Sequence, residues 1–133
     1  MEIKEYQKKS YVAIQDHADE KDEAMNWLIG LTEEVGELAS LFKHCYYGGE
    51  ELSKEEVAKE AGDVLWYLSA LCTAVGLNFD AVAILNMSKL HHRFALGEFD
   101  KSASGERHVL EQKFSETDEY KRIIASLQLA KED

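Results

Sequence analysis

Apolar residues recur every three or four positions along almost the whole chain, and no segment alternates apolar with polar as a half-buried strand does. The pattern predicts a helix over 3–15, with Ile3, Tyr6, Tyr11 and Ile14 available for packing. Residues 16–23 are polar and acidic and read as a loop. A second helix covers 24–44, with the stripe Trp27, Leu31, Glu34, Leu38, Leu41 and Cys45, and Tyr47-Gly48-Gly49 ends it. Ser53 opens a third helix, with Glu56 three residues on as its capping-box partner. That helix carries Val57, Ala61, Val64, Leu68, Leu71 and Val75 and stops at Gly76. Asn78 caps a fourth helix, running to about Phe94. Residues 95–105 read as a loop with glycine and serine. A last helical segment covers 107–131, breaks near Ser115 and ends on the amphipathic set Tyr120, Ile123, Ile124 and Leu127. The expectation is an all-α bundle of four to five helices in one domain over 1–133, since a chain of 133 residues has room for a single core.

Two acidic motifs interrupt these stripes: Glu33-Glu34-Val35-Gly36-Glu37 and Glu60-Ala61-Gly62-Asp63. Acidic groups three residues apart lie on one face of a helix, one turn apart. Leu31, Glu34, Leu38 and Leu41 follow one line, and Glu60, Val64, Tyr67 and Leu71 follow another. The short link between the second and third helices makes them antiparallel neighbours. Glu34 and Glu37 lie about two turns before the link, Glu60 and Asp63 about two turns after it, so at roughly 1.5 Å per residue their heights agree. Gly36 and Gly62 each cost a helix roughly 1 kcal/mol relative to alanine, which close helix approach or room for a ligand would explain.

A carboxylate among core residues is costly unless a cation neutralises it. Four facing carboxylates form an oxygen cage suited to Mg²⁺ or Mn²⁺. No Glu-x-x-His stands near either motif, as a di-iron bundle requires, and no Cys/His cluster is present to favour zinc.

Composition narrows the partners. The formal net charge of −11 argues against nucleic acid or an anionic membrane. An anionic small molecule stays open, because a bound divalent cation reverses the local field. Cys45 and Cys72 sit in apolar runs and read as packed thiols of a reducing compartment. No apolar run is long enough to span a bilayer and no signal-peptide core is present, so a soluble cytoplasmic protein is expected.

The paired acidic motifs, followed by Asn86-x-x-Lys89-x-x-x-Arg93-Phe94, resemble the all-α nucleoside triphosphate pyrophosphohydrolases, and among them the MazG-like branch. The likeness covers about 24–94, leaving a C-terminal helical extension over about 106–131. It implies an enzyme that hydrolyses a nucleoside triphosphate between its α and β phosphates, giving the monophosphate and pyrophosphate. Glu34, Glu37, Glu60 and Asp63 match the family's Mg²⁺ ligands, and Mn²⁺ is a possible substitute. Glu33 matches the first acidic position and is a candidate base for the attacking water. Lys89 and Arg93 match positions near the triphosphate, and Asn86 a polar position close by. Ala95 stands where the family often has proline, so nothing is carried over beyond Phe94.

The base pocket is read from residue types. Trp27, His44, Trp66 and Tyr67 are stacking or edge candidates, with Tyr67 one turn past the metal face and the tryptophans at core spacing. The surplus of apolar residues in so small a bundle favours a homodimer or a homotetramer built as a dimer of dimers. Alternatives within the superfamily are dUTP, dCTP, phosphoribosyl-ATP or an alarmone as substrate. A non-catalytic nucleotide-binding adaptor is the alternative from another class.

Overall fold

A computed structural model describes residues 1–11, 20–94 and 104–129. Six helices lie among them: α1 (Ile3–Tyr11), α2 (Glu20–Gly48), α3 (Lys54–Ala74), α4 (Phe79–Phe94), α5 (Ser104–Ser115) and α6 (Asp118–Ser126). The fold is all-α, with one helix more than the upper expectation, because the last segment divides in two. Its only β-type pairing among the described residues is an isolated bridge between Leu77 and Gln128. No helix among the described residues is long and apolar enough to cross a membrane. The chain falls into two compact units, 1–75 and 76–133.

The first unit is the antiparallel hairpin of α2 and α3 with α1 laid along α3. Helix α2 starts at Glu20, earlier than the predicted 24, so 20–23 is helix and not loop. Acidic residues suit a first helical turn, where the backbone dipole is positive. Residues 12–19, including Ile14, lie outside the described ones. Gly49, at φ +71, follows the last turn of α2 in the left-handed conformation that glycine adopts without strain. Ser53 caps α3, its Oγ accepting from the Glu56 N–H at 3.2 Å. Gly76, also at φ +71, follows its end.

The expected packing of α1 is corrected. Ile3 and Tyr11 are exposed, and the buried residues are Gln7 and Ser10. A hydrogen-bonded chain makes this tolerable. Gln7 Nε2 donates to Thr73 Oγ1 at 3.1 Å, and Thr73 Oγ1 donates to the Ser69 carbonyl at 3.1 Å. Ser10 Oγ donates to the Gln7 carbonyl at 3.0 Å, which leaves Ser69 Oγ as the donor in the 2.9 Å contact between the two serine hydroxyls. Trp66 Nε1 donates to the Ser10 carbonyl at 3.3 Å. Buried polar groups are stable where each has a partner, and here they pair α1 with α3.

The second unit holds α4, α5 and α6 around Phe79, Ala81, Phe114 and Ile123, all buried. Asn78 caps α4 as expected, its Oδ1 accepting from Asp80 N–H at 3.1 Å and Ala81 N–H at 3.4 Å. Helix α5 begins at Ser104, so Ser104 and Gly105 are helical and not loop. Thr117 caps α6, accepting from Tyr120 N–H at 3.1 Å, and so fixes the break near Ser115. Beyond α6 the chain returns along 76–78: Asn78 N–H donates to the Leu127 carbonyl at 2.7 Å and Leu129 N–H to the Gly76 carbonyl at 2.8 Å.

Candidate metal centre

Glu34 and Glu37 stand one turn apart on α2, and Glu60 faces them from α3. One carboxylate oxygen from each lies within 4.8 Å of the others. Oxygens on opposite sides of Mg²⁺ are roughly 4.2 Å apart at about 2.1 Å per bond, so small side-chain rotations would close this set on one ion. Glu34 and Glu60 are half-buried and Glu37 is exposed. Glu37 is thus the most open of the three to solvent and to a ligand.

The electrostatics favour a cation. Burial raises the Glu34 pKa above the ordinary glutamate value, and the negative charges of Glu37, Asp63, Glu60 and Glu33 raise it further. A divalent ion beside these carboxylates would oppose that rise and favour the charged form of Glu34. Asp63 lies outside the three-oxygen set but close enough for its charge to act on Glu34. Glu33 is exposed, and its charge reaches Glu34 and Tyr67. Three of the four expected ligands are therefore gathered tightly, and the other two acidic residues border them.

Two tyrosines flank the carboxylates. Burial raises the pKa of Tyr67, with smaller contributions from Glu34, Glu33 and Asp63. Burial also raises that of Tyr6 on α1, followed by the charge of Asp63. Tyr6 was read from the sequence only as a packing residue. The partner that places it near α3 lies more than fifty residues away, and no local spacing signals it.

The Tyr67 ring rests on the α2 backbone at Gly30. A Cβ at position 30 would lie 2.1 Å from its Cε1, 2.7 Å from Cδ1 and 2.8 Å from Cζ. Trp27 and Trp66 enclose the ring, with centroids 5.9 and 4.9 Å away. The tryptophans meet edge to face at 5.4 Å. Trp27 is only 5% exposed and its Nε1 donates to Glu23 Oε1 at 3.3 Å, so this base-stacking candidate is placed in the core. Gly30 was missed by the sequence reading; its one signal is a glycine inside an apolar helical pattern, a turn before Glu34.

Close helix approach, one of two explanations for Gly36 and Gly62, is corrected. A Cβ at either position meets nothing within 4 Å. Both glycines face open space beside the carboxylates.

His44 is exposed near the end of α2, and none of its described contacts joins it to the acidic set. Asn86, Lys89 and Arg93 belong to the second unit, where three- and four-residue steps along α4 put them on one face. Asn86 is exposed, and Lys89 and Arg93 are half-buried. Arg93 forms an ion pair with Glu111 of α5, while its Nε is buried without a hydrogen-bond partner. Cys45 and Cys72 are both free thiols, and burial pushes the Cys72 pKa up.

No curated protein matches this chain, and no solved structure does. A family model does: the MazG nucleotide pyrophosphohydrolase domain matches residues 23–95, more than half of the chain. The match begins near the start of α2, takes in both acidic motifs and ends beyond Arg93. The chain belongs to the MazG nucleotide pyrophosphohydrolase family.

Proposed function

We propose that the chain is a Mg²⁺-dependent nucleoside triphosphate pyrophosphohydrolase, cleaving a ribo- or deoxyribonucleotide to its monophosphate and pyrophosphate. The observation that carries this reading is the convergence of Glu34, Glu37 and Glu60 within 4.8 Å on two facing helices, in a chain of a nucleotide pyrophosphohydrolase family. Such an oxygen set suits Mg²⁺, or Mn²⁺ in its place. The bound cation supplies shielding of the phosphate oxygens and acidification of water.

The residues divide the remaining work. Glu34, Glu37 and Glu60 hold the cation, and Asp63 completes the set from one turn along α3. Glu33 is exposed and outside that set, so it is free to accept the proton of the attacking water. Lys89 offers a point charge and Arg93 a planar fork to the triphosphate, with Asn86 beside them. To do so, Arg93 exchanges its Glu111 carboxylate for phosphate oxygens, and the unpartnered Nε is a further donor for them. Tyr67 and His44 are the candidates for sugar or base contacts. The open space at Gly36 and Gly62 leaves room beside the carboxylates for the phosphate tail.

A second copy of the chain is the proposed partner, as a dimer or dimer of dimers in the cytoplasm. Met25, Leu28, Val35, Phe42 and Tyr46 are exposed on α2. With Thr32 and Ala39 they follow alternating steps of three and four residues, the spacing of a helix-packing seam. Exposed apolar residues in such a stripe support association, because burying them against a second copy removes them from water.

The test is a panel of ribo- and deoxyribonucleoside triphosphates with Mg²⁺, every product being identified by chromatography. Monophosphate and pyrophosphate in equal amounts are expected from at least one member. Binding without turnover across the panel would point instead to a nucleotide-binding adaptor.

A further inference from the structure

We propose that Gly30 and Tyr67 are a positioning pair that sets the spacing and register of α2 against α3, and thereby holds Glu34 and Glu37 opposite Glu60. The inference rests on the metal-binding part of the proposed function. Gly30 lies four residues before Glu34 on α2, and Tyr67 four residues after Asp63 on α3. In an antiparallel pair both steps run the same way, so the contact sits about one turn, or roughly 6 Å, from the carboxylate layer.

Tyr67 has little freedom to yield. Its ring is bounded by the α2 backbone at Gly30 and by Trp27 and Trp66. Those rings are held in turn, Trp27 by Glu23 and Trp66 by the Ser10 carbonyl of α1. A methyl group at position 30 would start 2.1 Å from the ring, and ordinary contact begins at 3.4 Å, so the ring or one helix must shift by more than an ångström, and the two tryptophans beside the ring direct that shift onto the helices. Carboxylates that now lie within 4.8 Å would then part too far to share one ion. Propensity alone gives the opposite expectation, since alanine is the better helix former. A loss on replacing Gly30 therefore reports the contact with Tyr67.

The experiment is Mn²⁺ titration followed by the free-ion electron paramagnetic resonance signal, with circular dichroism on the same samples. Wild-type protein should bind Mn²⁺; absence of binding would overturn the metal reading itself, and this inference with it. Gly30→Ala should stay helical and lose about tenfold or more in Mn²⁺ affinity, the scale on which supporting residues act at metal sites. Tyr67→Phe keeps the ring and should bind within about threefold of wild type, below that scale. In the Tyr67→Val background, Gly30→Ala should cost almost nothing further, because the colliding ring is gone. If Gly30→Ala alone fails to fold, the double variant decides: restored folding with Mn²⁺ binding supports the pair, and continued failure overturns it. Wild-type affinity in Gly30→Ala would also overturn it. So would an equal loss in both backgrounds, or a Tyr67→Phe loss as large as that of Tyr67→Val.

Discussion

Glu34 on α2 and Glu60 on α3 bring carboxylate oxygens within 4.8 Å of each other across the helical hairpin, with Glu37 completing the triangle. No basic side chain forms an ion pair with any of the three among the described residues, so their repulsion is met by water or by a cation. Glu37→Gln and Asp63→Asn should each lower turnover at saturating Mg²⁺ by at least about a hundredfold, since charge stabilisation by a metal supplies several kcal/mol. Both should remain helical. The metal-free melting temperature of Glu37→Gln should rise, because one repulsive charge is gone, while the rise induced by Mg²⁺ in the wild type should shrink. Near-normal turnover in both variants would remove them from the metal centre.

The raised pKa of Glu34 gives the metal-free protein a definite pH response. Between the ordinary glutamate value and the raised one, the folded state binds more protons than the unfolded state. Stability then falls as pH rises through that window and is regained as pH drops back through it. Glu34→Gln should flatten this part of the profile. In the wild type, Mg²⁺ affinity should weaken as pH falls through the same window, because the proton and the ion compete for one carboxylate. Urea denaturation without metal and calorimetric titration with it, across mildly acidic pH, measure the two effects. A wild-type profile that matches that of Glu34→Gln would show that Glu34 is not perturbed.

Gly36 and Gly62 should behave unlike Gly30. A Cβ at either meets nothing, so alanine should stabilise the metal-free fold by about 0.5–1 kcal/mol through helix propensity alone. If the open space there admits the phosphate tail, KM should rise in the same variants although they melt later. Thermal melts and steady-state kinetics on one preparation separate the two roles.

Much of this architecture is legible in the sequence because it is local. The Ser53 cap, the glycines ending α2 and α3, the Asn78 cap and the break at Ser115 each depend on a few adjacent residues. The convergence of Glu34, Glu37 and Glu60 follows from helical spacing and a short link, so counting turns finds it. The buried face of α1 was not legible, because hydrophobicity points to Ile3 and Tyr11. Gln7 and Ser10 are buried only because Thr73 and Ser69, about sixty residues away, satisfy them. The fit of Tyr67 on Gly30 depends on how α2 is rotated about its own axis, which periodicity leaves open within tens of degrees. In the sequence Arg93 is a candidate for the triphosphate, and Glu111 as its ion-pair partner emerges only when α5 is placed.

Association through the outer stripe of α2 is checked with single charges. Val35→Glu and Phe42→Glu put a carboxylate in the middle of the proposed seam, where it would be buried without a partner. Each should shift the protein to monomer in light scattering at micromolar concentration, with α-helical circular dichroism retained. A wild type that is already monomeric there would reject the dimer.

The reaction should proceed by water attack at the α phosphorus, with pyrophosphate leaving as one unit. The carboxylates of α2 and α3 supply anionic ligands, suited to a cation beside the scissile bond. On the proposed function, Lys89 and Arg93 are the cations offered to the outer phosphates, which would then depart together. Lys89→Ala and Arg93→Ala should each lower kcat/KM by about ten- to a hundredfold, the worth of one charge-assisted hydrogen bond, while changing Mn²⁺ binding little. Arg93→Ala also removes the ion pair with Glu111, a half-exposed contact worth at most about 1 kcal/mol, so its melting temperature should fall only slightly. Hydrolysis in ¹⁸O-water locates the attack. Label in the nucleoside monophosphate identifies the α phosphorus; label confined to pyrophosphate identifies the β phosphorus and overturns this chemistry even with the same products. Stepwise release of orthophosphate through a diphosphate would reject the pyrophosphohydrolase reading as a whole.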